Sequence, residues 1–310
     1  MALNYAEVWS PDLLEIMEQE SLTSPFVTTA VKWLSAKTFH FTQMSTSGYK
    51  SHSRLGGWNK GTFAQTDVPF TLTHDRDIQF MIDKIDVDET NETASIKNIS
   101  EVFHKTQQIP EMDAYFYSKV ATEAQKIDGY HSSTALSSYT KENVYGKLKS
   151  MLSAGKLRRY VAKGALIAYV NSTIMDLLEQ STDFTRKIEM TQIAEGGVGI
   201  ETRITDIDGV TLIEVIDDER FYDKFDFTDG FAPVASTSHK INVLIASPLT
   251  VKTVPKISSI YYFNPGQHTE GDGYLYQDRS LSDTFIFPNG KDNKIDSIYV
   301  DVDTETYTTE

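Results

Sequence analysis

No cysteine occurs among the 310 residues, so disulfides, thiolate metal sites and a cysteine nucleophile are excluded together. Long apolar runs are missing as well, and none approaches the ~20 residues that a membrane helix needs. The first residues, from Met1 to Trp9, lack the basic start and apolar core of a signal peptide. Positive charge is scarce: 29 Lys and Arg against 44 Asp and Glu leave a formal charge of −15. Such a balance argues against a phosphate-binding surface as the main activity. The strongest local basic patch is Lys156, Leu157, Arg158, Arg159, Tyr160 and Lys163, and a solvated stretch near a helix end is the preferred account of it. The expectation is a soluble protein made and used in a cytoplasm, with no membrane contact. In that setting the Asn-x-Ser/Thr matches at Asn91, Asn98 and Asn171 carry no glycosylation meaning.

Catalytic fingerprints are absent too. Gly196, Gly197 and Gly199 do not make the dinucleotide motif, and no GxxxxGK[ST] exists. The seven histidines (His40, His52, His74, His104, His131, His239 and His268) are scattered, none at the short spacing of a zinc site, and surface or interface roles are preferred. Asp83, Asp86, Asp88 and Glu89 have the oxygens for calcium but lack an EF-hand's glycine and distal glutamate. A helix N-terminus attracts such acids through its dipole. Paired carboxylates, Asp206 with Asp208 or Asp217 with Asp218 and Glu219, have the residue types for acid and base work, yet 44 acidic residues produce such pairs by chance. No catalytic, metal or cofactor residue is assigned.

What is present is a 40% hydrophobic content, enough to bury a real core. Phe39, Phe41 and Gln43 alternate with polar residues, a glycine-rich tip follows from Leu55 to Gly61, and the return limb leads into Val68, Phe70 and Leu72. This reads as a long β-hairpin, too thin to be stable unless its faces lie against something else. The alternation resumes at Ile78, Phe80 and Ile82. After an acidic turn comes a helical pattern, predicted from about Glu92 to Lys126 and roughly 50 Å long, with Ile96, Ile99, Val102 and Phe103, then Met112, Phe116, Val120 and Ala124 on one face. Pro110 predicts a kink or brief break. Downstream, Ser132 to Ser138 reads as a polar linker and Val144 to Leu152 as a helix closed near Gly155. Ala165 to Val170 reads as a buried strand, with Ser172 capping a further helix. A hairpin is predicted at Thr202–Ile207, Asp208-Gly209 and Val210–Ile216, with strands at Ile241–Ala246, Ile257–Phe263, Thr284–Phe287 and Ile298–Val302. The class is α+β, without internal repeats.

The run from Ile82 through Asp83, Asp86, Asp88, Glu89 and Thr90 to Ile109, Pro110, Glu111, Asp113, Ala114, Tyr115 and Tyr117 resembles tailed-bacteriophage major capsid proteins, which share the Hong Kong ninety-seven-like fold. The similarity is one of sequence style and element order over most of the chain. It implies an N-terminal arm at 1–37, an extended β-hairpin loop at 38–82 and a spine helix of a peripheral domain at 83–130. An axial domain at 131–250 and the return strands of the peripheral domain at 251–310 complete it. It also implies a non-enzymatic coat subunit that assembles into hexamers and pentamers of an icosahedral shell around double-stranded DNA, without sequence-specific binding. The implied partners are further copies of the chain, a separate scaffolding protein, a portal and head-completion proteins. The implied setting is the virion, assembled in a bacterial cytoplasm. Inter-subunit contact is expected at Trp9, Trp33, Phe39, Phe41, Trp58, Phe70, Phe103 and Tyr117. Lys50 and Lys60 flank the hairpin tip, but nothing marks an asparagine partner, so crosslinking is not predicted. An encapsulin-like compartment shell and a carboxylate-dependent hydrolase are the alternatives.

Overall fold

The computed structural model describes residues 20–29, 37–52, 56–85, 96–181, 189–190, 203–289 and 294–308. Its centre is a mixed seven-stranded sheet in the order β4-β14-β11-β5-β8-β7-β6. These strands are β4 (His131–Ser133), β5 (Ile167–Asn171), β6 (Glu189–Met190), β7 (Arg203–Ile207), β8 (Val210–Val215), β11 (His239–Ala246) and β14 (Ile298–Thr306). The pairs β4–β14 and β5–β8 are parallel and the others antiparallel. Both faces of this sheet are covered, which explains why β11 reads as a continuous apolar run rather than an alternating one. Ile241, Leu244 and Ala246 face one layer, while Val243 and Ile245 face the other.

The first layer is helical and begins with α1 (Ile96–Phe103) and α2 (Ile109–Gln125). Phe116, Tyr117, Val120, Ala121 and Ala124 of α2 pack on Tyr169, Leu244, Val300 and Val302 of the sheet, and Phe26 from the segment at 20–29 joins them. The second layer is α3 (Val144–Leu152), α4 (Arg158–Val161) and α5 (Ser172–Glu179), whose Leu148, Leu152, Tyr160 and Ile174 cover the opposite face.

Helices α1 and α2 are continuous through Pro110, and the irregularity lies just before it as a π-helical turn, His104–Gln108. Proline has no N–H to give the carbonyl four residues back, here Thr106, and its ring crowds that carbonyl. Widening the preceding turn relieves the crowding, and the Ile109 N–H donates to the carbonyl of His104, five residues back. The region around residue 92 where the helix is predicted to start lies outside the described residues, as do Asp86, Asp88, Glu89, Asn91 and Gly196 to Gly199.

Two further sheets carry the outlying parts. β1 (Thr38–Thr46) and β2 (Phe63–Thr71) form an antiparallel ribbon with Thr38 opposite Thr71 and Thr46 opposite Phe63. At ~3.3 Å per residue each strand spans about 30 Å. β3 (His74–Asp83), β12 (Val251–Phe263) and β13 (Gly273–Ile286) make a three-stranded sheet ordered β12-β13-β3. Phe39, Phe70 and Leu72 at the ribbon's base pack on Val254, Leu281, Phe285 and Phe287, so the hairpin is rooted where β12 and β13 leave the core. A minor ribbon pairs β9 (Phe225–Asp226) with β10 (Ala232–Pro233).

Several sequence expectations need correction. Ser132 to Ser138 is not a plain linker: β4 joins the sheet edge because the Ser132 and Thr134 hydroxyls donate to buried Asp301. Asn171, not Ser172, caps α5, its side chain accepting the Thr173 N–H at 2.9 Å, while the Ser172 hydroxyl donates to Glu214. β13 extends back to Gly273 through a polar stretch. The β7–β8 turn is as expected, with Asp208 at φ 53° and Gly209 at φ 80°, the left-handed pair that a tight hairpin requires. Helix α3 ends at Leu152 and Gly155 follows at φ 52°, where an added Cβ would lie 2.3 Å from the Tyr130 ring.

Phe116→Ala removes the largest α2 side chain touching both Phe26 and Tyr169. Urea unfolding is expected to show a loss of about 3–5 kcal/mol; a loss below 1 kcal/mol would contradict this account of the core.

Candidate functional site

Four acidic side chains act as ties between elements. Asp113 lies on the buried face of α2, one turn before Tyr117, and is fully enclosed. It accepts from the Ser21 hydroxyl (2.9 Å), the Leu22 N–H (3.1 Å), the Thr23 hydroxyl (2.7 Å) and the Arg220 guanidinium (3.2 Å). Arg220 is itself buried and also pairs with Asp217. Burial pushes the Asp113 pKa up, and Arg220 and the three hydrogen bonds push it back. Residues 21–23 are thereby fastened to the middle of the long helix.

Asp283 accepts from Thr73 N–H and hydroxyl and from the Tyr115 hydroxyl (2.8 Å), joining the hairpin's exit, β13 and α2. Desolvation, then the Asp283 charge, push the Tyr115 phenol above its ordinary range. Asp301 accepts from Ser132, Thr134, Tyr139 and Asn242, and Asp296 accepts from Tyr160. Of the carboxylates weighed for acid and base work, four have partners, Asp217 through Arg220. Asp206 caps the β7–β8 turn through the Gly209 N–H, Asp208 lies 3.5 Å from Lys149, and Asp218 pairs with Lys240. Arg159 in the basic run faces Asp296 at 3.6 Å, while Tyr160 is buried. Among the described residues no cluster of three or more His, Asp or Glu groups is arranged to hold a metal.

Between β3, β13, α2 and the 227–230 loop runs a groove of about 600 Å³. Its wall is built by Arg76, which binds Glu111 through Nε (2.6 Å) and donates to the carbonyls of Phe227 and Gly230. His74 stacks on Tyr115 at 4.0 Å and meets Phe227 edge-on, so this histidine is not the surface group expected from sequence. Desolvation, reinforced by Arg76, lowers the His74 pKa to about 4. At neutral pH the imidazole is therefore uncharged, and its 3.6 Å approach to Glu111 is not an ion pair. Farther along, Tyr276, His104 and Asp278 meet: the Tyr276 hydroxyl lies 3.2 Å from His104 Nε2 and 3.3 Å from Asp278 Oδ2.

The sequence-selected contact residues fall into distinct places. Phe39 and Tyr117 are wholly enclosed by the chain's own core, which leaves them no surface to offer a neighbour, so their assignment to inter-subunit contact is corrected. Phe70 packs beside Phe39, against Phe285 and Phe287. Phe103 meets Phe80 across the helix–sheet seam at 5.5 Å. Trp58 is 94% exposed near the hairpin tip. Phe41 sits in β1 opposite Val68. Trp9 and Trp33 lie outside the described residues. Exposed apolar groups missed from sequence are Met44, Tyr49 and Phe63 on the hairpin, and Met81, Ile260, Tyr261 and Tyr262 on the three-stranded sheet. Among the described residues, the end of this two-stranded ribbon leaves Tyr49, Trp58 and Phe63 exposed.

No family profile matches the chain, and no curated protein matches it in sequence. Solved structures do. The bacteriophage PhiM1 mature capsid superposes with TM-score 0.64 over 97% of this chain and 92% of its own, at 13% identity. The capsid of cyanophage P-SCSP1u gives 0.62 over 98% and 94%, at 10% identity. The capsid of a native GTA particle gives 0.55 over 96% and 94%, at 11% identity. The fold is that of tailed-phage capsid proteins. The α+β architecture with hairpin, long helix and mixed sheet thus has end-to-end counterparts in capsid chains, and neither the hydrolase nor the encapsulin-like alternative gains support.

Asp113→Ala leaves Arg220 buried with one carboxylate fewer and frees residues 21–23. Thermal and urea unfolding should show a loss of about 3–5 kcal/mol, with earlier proteolytic cleavage near residue 20; unchanged stability would refute the tie. For His74, the folded chain refuses a proton that the unfolded chain accepts between about pH 6.5 and about pH 4. Stability therefore falls as pH drops through that window, by about 1–3 kcal/mol from this group. Glu111, whose pKa burial raises, contributes with the opposite sign above 4.5. His74→Gln should flatten the wild-type decline measured by urea titration at pH 7, 5.5 and 4.5, and an unchanged slope would rule the histidine out.

Proposed function

We propose that this chain is the shell-forming coat subunit of a tailed double-stranded DNA phage, assembling as hexamers and pentamers and acting by contact rather than catalysis. The observation that carries the reading is end-to-end correspondence with phage capsid chains, 97% of this chain on 92% of the PhiM1 capsid chain. An enzyme grafted on such a fold would need a convergent set of free catalytic groups. Asp206, Asp208, Asp217 and Asp218, singled out from sequence, are instead committed to amide, ammonium or guanidinium partners.

The hairpin suits the proposed role. Its base is tied to the core by Phe39 and Phe70, whereas Trp58 and Tyr49 stand in solvent. Contacts of the arm at 1–37, with Trp9 and Trp33, and of the spine helix around Phe103 are proposed to add to it, so that many weak contacts sum to a stable shell. A scaffolding protein, a portal and head-completion proteins are the proposed partners, with the virion as the destination and packaged DNA held without sequence reading. The formal charge of −15 suits a wall that contains a polyanion without adhering to it.

Size-exclusion chromatography with light scattering and negative-stain imaging, on the chain alone and with a co-expressed scaffold, tests the proposal. Rings of capsomer size or closed shells are expected; a clean monomer under both conditions overturns it.

A further inference from the structure

The two layers that cover the seven-stranded sheet differ in charge. Residues 141–163, which include α3 and α4 of the second layer, hold seven of the chain's 29 Lys and Arg but one of its 44 acids. In a chain of formal charge −15 this is a local reversal of sign. Lys156, Arg158 and Lys163 are exposed, whereas Leu157 and Tyr160 between them are buried in the layer's core. The buried pair fixes which side of the segment faces in, so the cations stand on the side turned away from the sheet.

The first layer has the complementary character. The segment 217–229 follows the flank of α2 and carries six Asp or Glu against Arg220 and Lys224. It is fixed there by buried Phe221, whose ring lies 5.0 Å from that of Tyr117, and by the Gln125 amide, which donates to Asp223 at 2.8 Å. Arg220 is engaged internally with Asp113 and Asp217, while Glu219, Asp226 and Asp229 are exposed. Phe221 belongs to the core on the α2 side of the sheet and Tyr160 to the core on the other, so the acidic and basic areas lie on opposite sides of one domain.

Two basic sides, or two acidic sides, set like charges together, whereas basic on acidic is complementary. A contact between opposite sides of the same molecule is head-to-tail and cannot be a two-fold, so it repeats from copy to copy until a ring closes. We infer that the basic side around Lys156, Arg158 and Lys163 of one copy docks on the acidic side around Glu219, Asp226 and Asp229 of the next, and that this pairing sets the direction in which copies follow one another round a ring. The occupant is a second copy because a single chain supplies both halves of the complementary pair in equal number. This rests on the shell-subunit reading and adds to it two surfaces, a polarity and a salt dependence. Exposed charges are screened over about 10 Å at 0.1 M salt and about 3 Å at 1 M, so the contact weakens as salt rises.

Charge reversal on one side at a time tests the pairing. K156E/R158E/K163E makes both sides acidic, and E219K/D226K/D229K makes both basic; all six positions are exposed, and an unchanged thermal midpoint verifies that each variant is folded. Assembly at low salt is followed by light scattering and negative-stain imaging. Each variant alone should assemble at least tenfold less than wild type, and an equimolar mixture should recover assembly, because the two kinds then alternate. Alternation closes only rings with an even number of members, so the mixture should give six-membered rings, sheets or tubes and no closed shell with five-fold vertices. Wild-type assembly matched by each variant alone would overturn the inference and leave the shell reading standing. Folded variants that fail alone and also fail when mixed, or a mixture that closes five-membered rings, would refute the pairing. Failure of the wild-type chain to assemble at all would overturn both readings. Binding of a DNA duplex by free wild-type subunits, lost in K156E/R158E/K163E with no recovery of assembly on mixing, would assign the basic side to nucleic acid and refute the inference.

Discussion

The packing of α2 on the seven-stranded sheet is the interaction on which the other parts depend. Its apolar face, from Phe116 to Ala124, covers one side of the sheet, and its flank carries Glu111 and Tyr115 to the three-stranded sheet. The segment at 21–26, the turn at 217–220 and the hairpin's exit at Thr73 are all fastened to this helix or to residues bonded to it. A sheet apolar on both faces is unstable without cover on each, so displacing α2 would expose β11 and β14 and untie the peripheral parts together.

The ties are carboxylates rather than hydrophobic contacts because they join elements far apart in sequence at places where the backbone still has donors to satisfy. Asp113 reaches across 90 residues to Thr23, and Asp283 across 210 to Thr73. Each gathers N–H and hydroxyl groups that would otherwise be buried unpaired, which gives orientation as well as cohesion. Many of the chain's acids are thus structural ligands for its own backbone, and acidity alone was a poor guide to chemistry here.

The elements with a strong period were legible: the alternating ribbon, the helical stripe of α2, the Asp-Gly turn and the apolar strands β5, β11 and β14. β13 was read only at its end because its outward and inward rows are both largely polar, Gln277 and Arg279 against Asp278 and Ser280, and no apolar alternation marks it. β4 was missed for a similar reason, since its place is set by hydroxyls donating to Asp301, a partner about 170 residues away. A signal for the Asp113 tie did exist: an acid at 113 shares the helical face of Tyr117, Val120 and Ala124, where a charge needs a buried partner. Nothing in the sequence identified Arg220 as that partner. Phe39 and Tyr117 were misplaced because an aromatic residue suits a core and an interface equally well, and only the fold decides which.

The π-helical turn before Pro110 has a geometric consequence for how one helix serves two sheets. Closing a hydrogen bond over five residues instead of four slips the angular phase of everything upstream, so the α1 stripe and the α2 stripe are not one straight seam. Phe103 meets Phe80 of the three-stranded sheet while Phe116 faces the seven-stranded one. The turn holds one residue more than an α-helical turn would, and so sets the azimuth between two docking faces on one continuous helix.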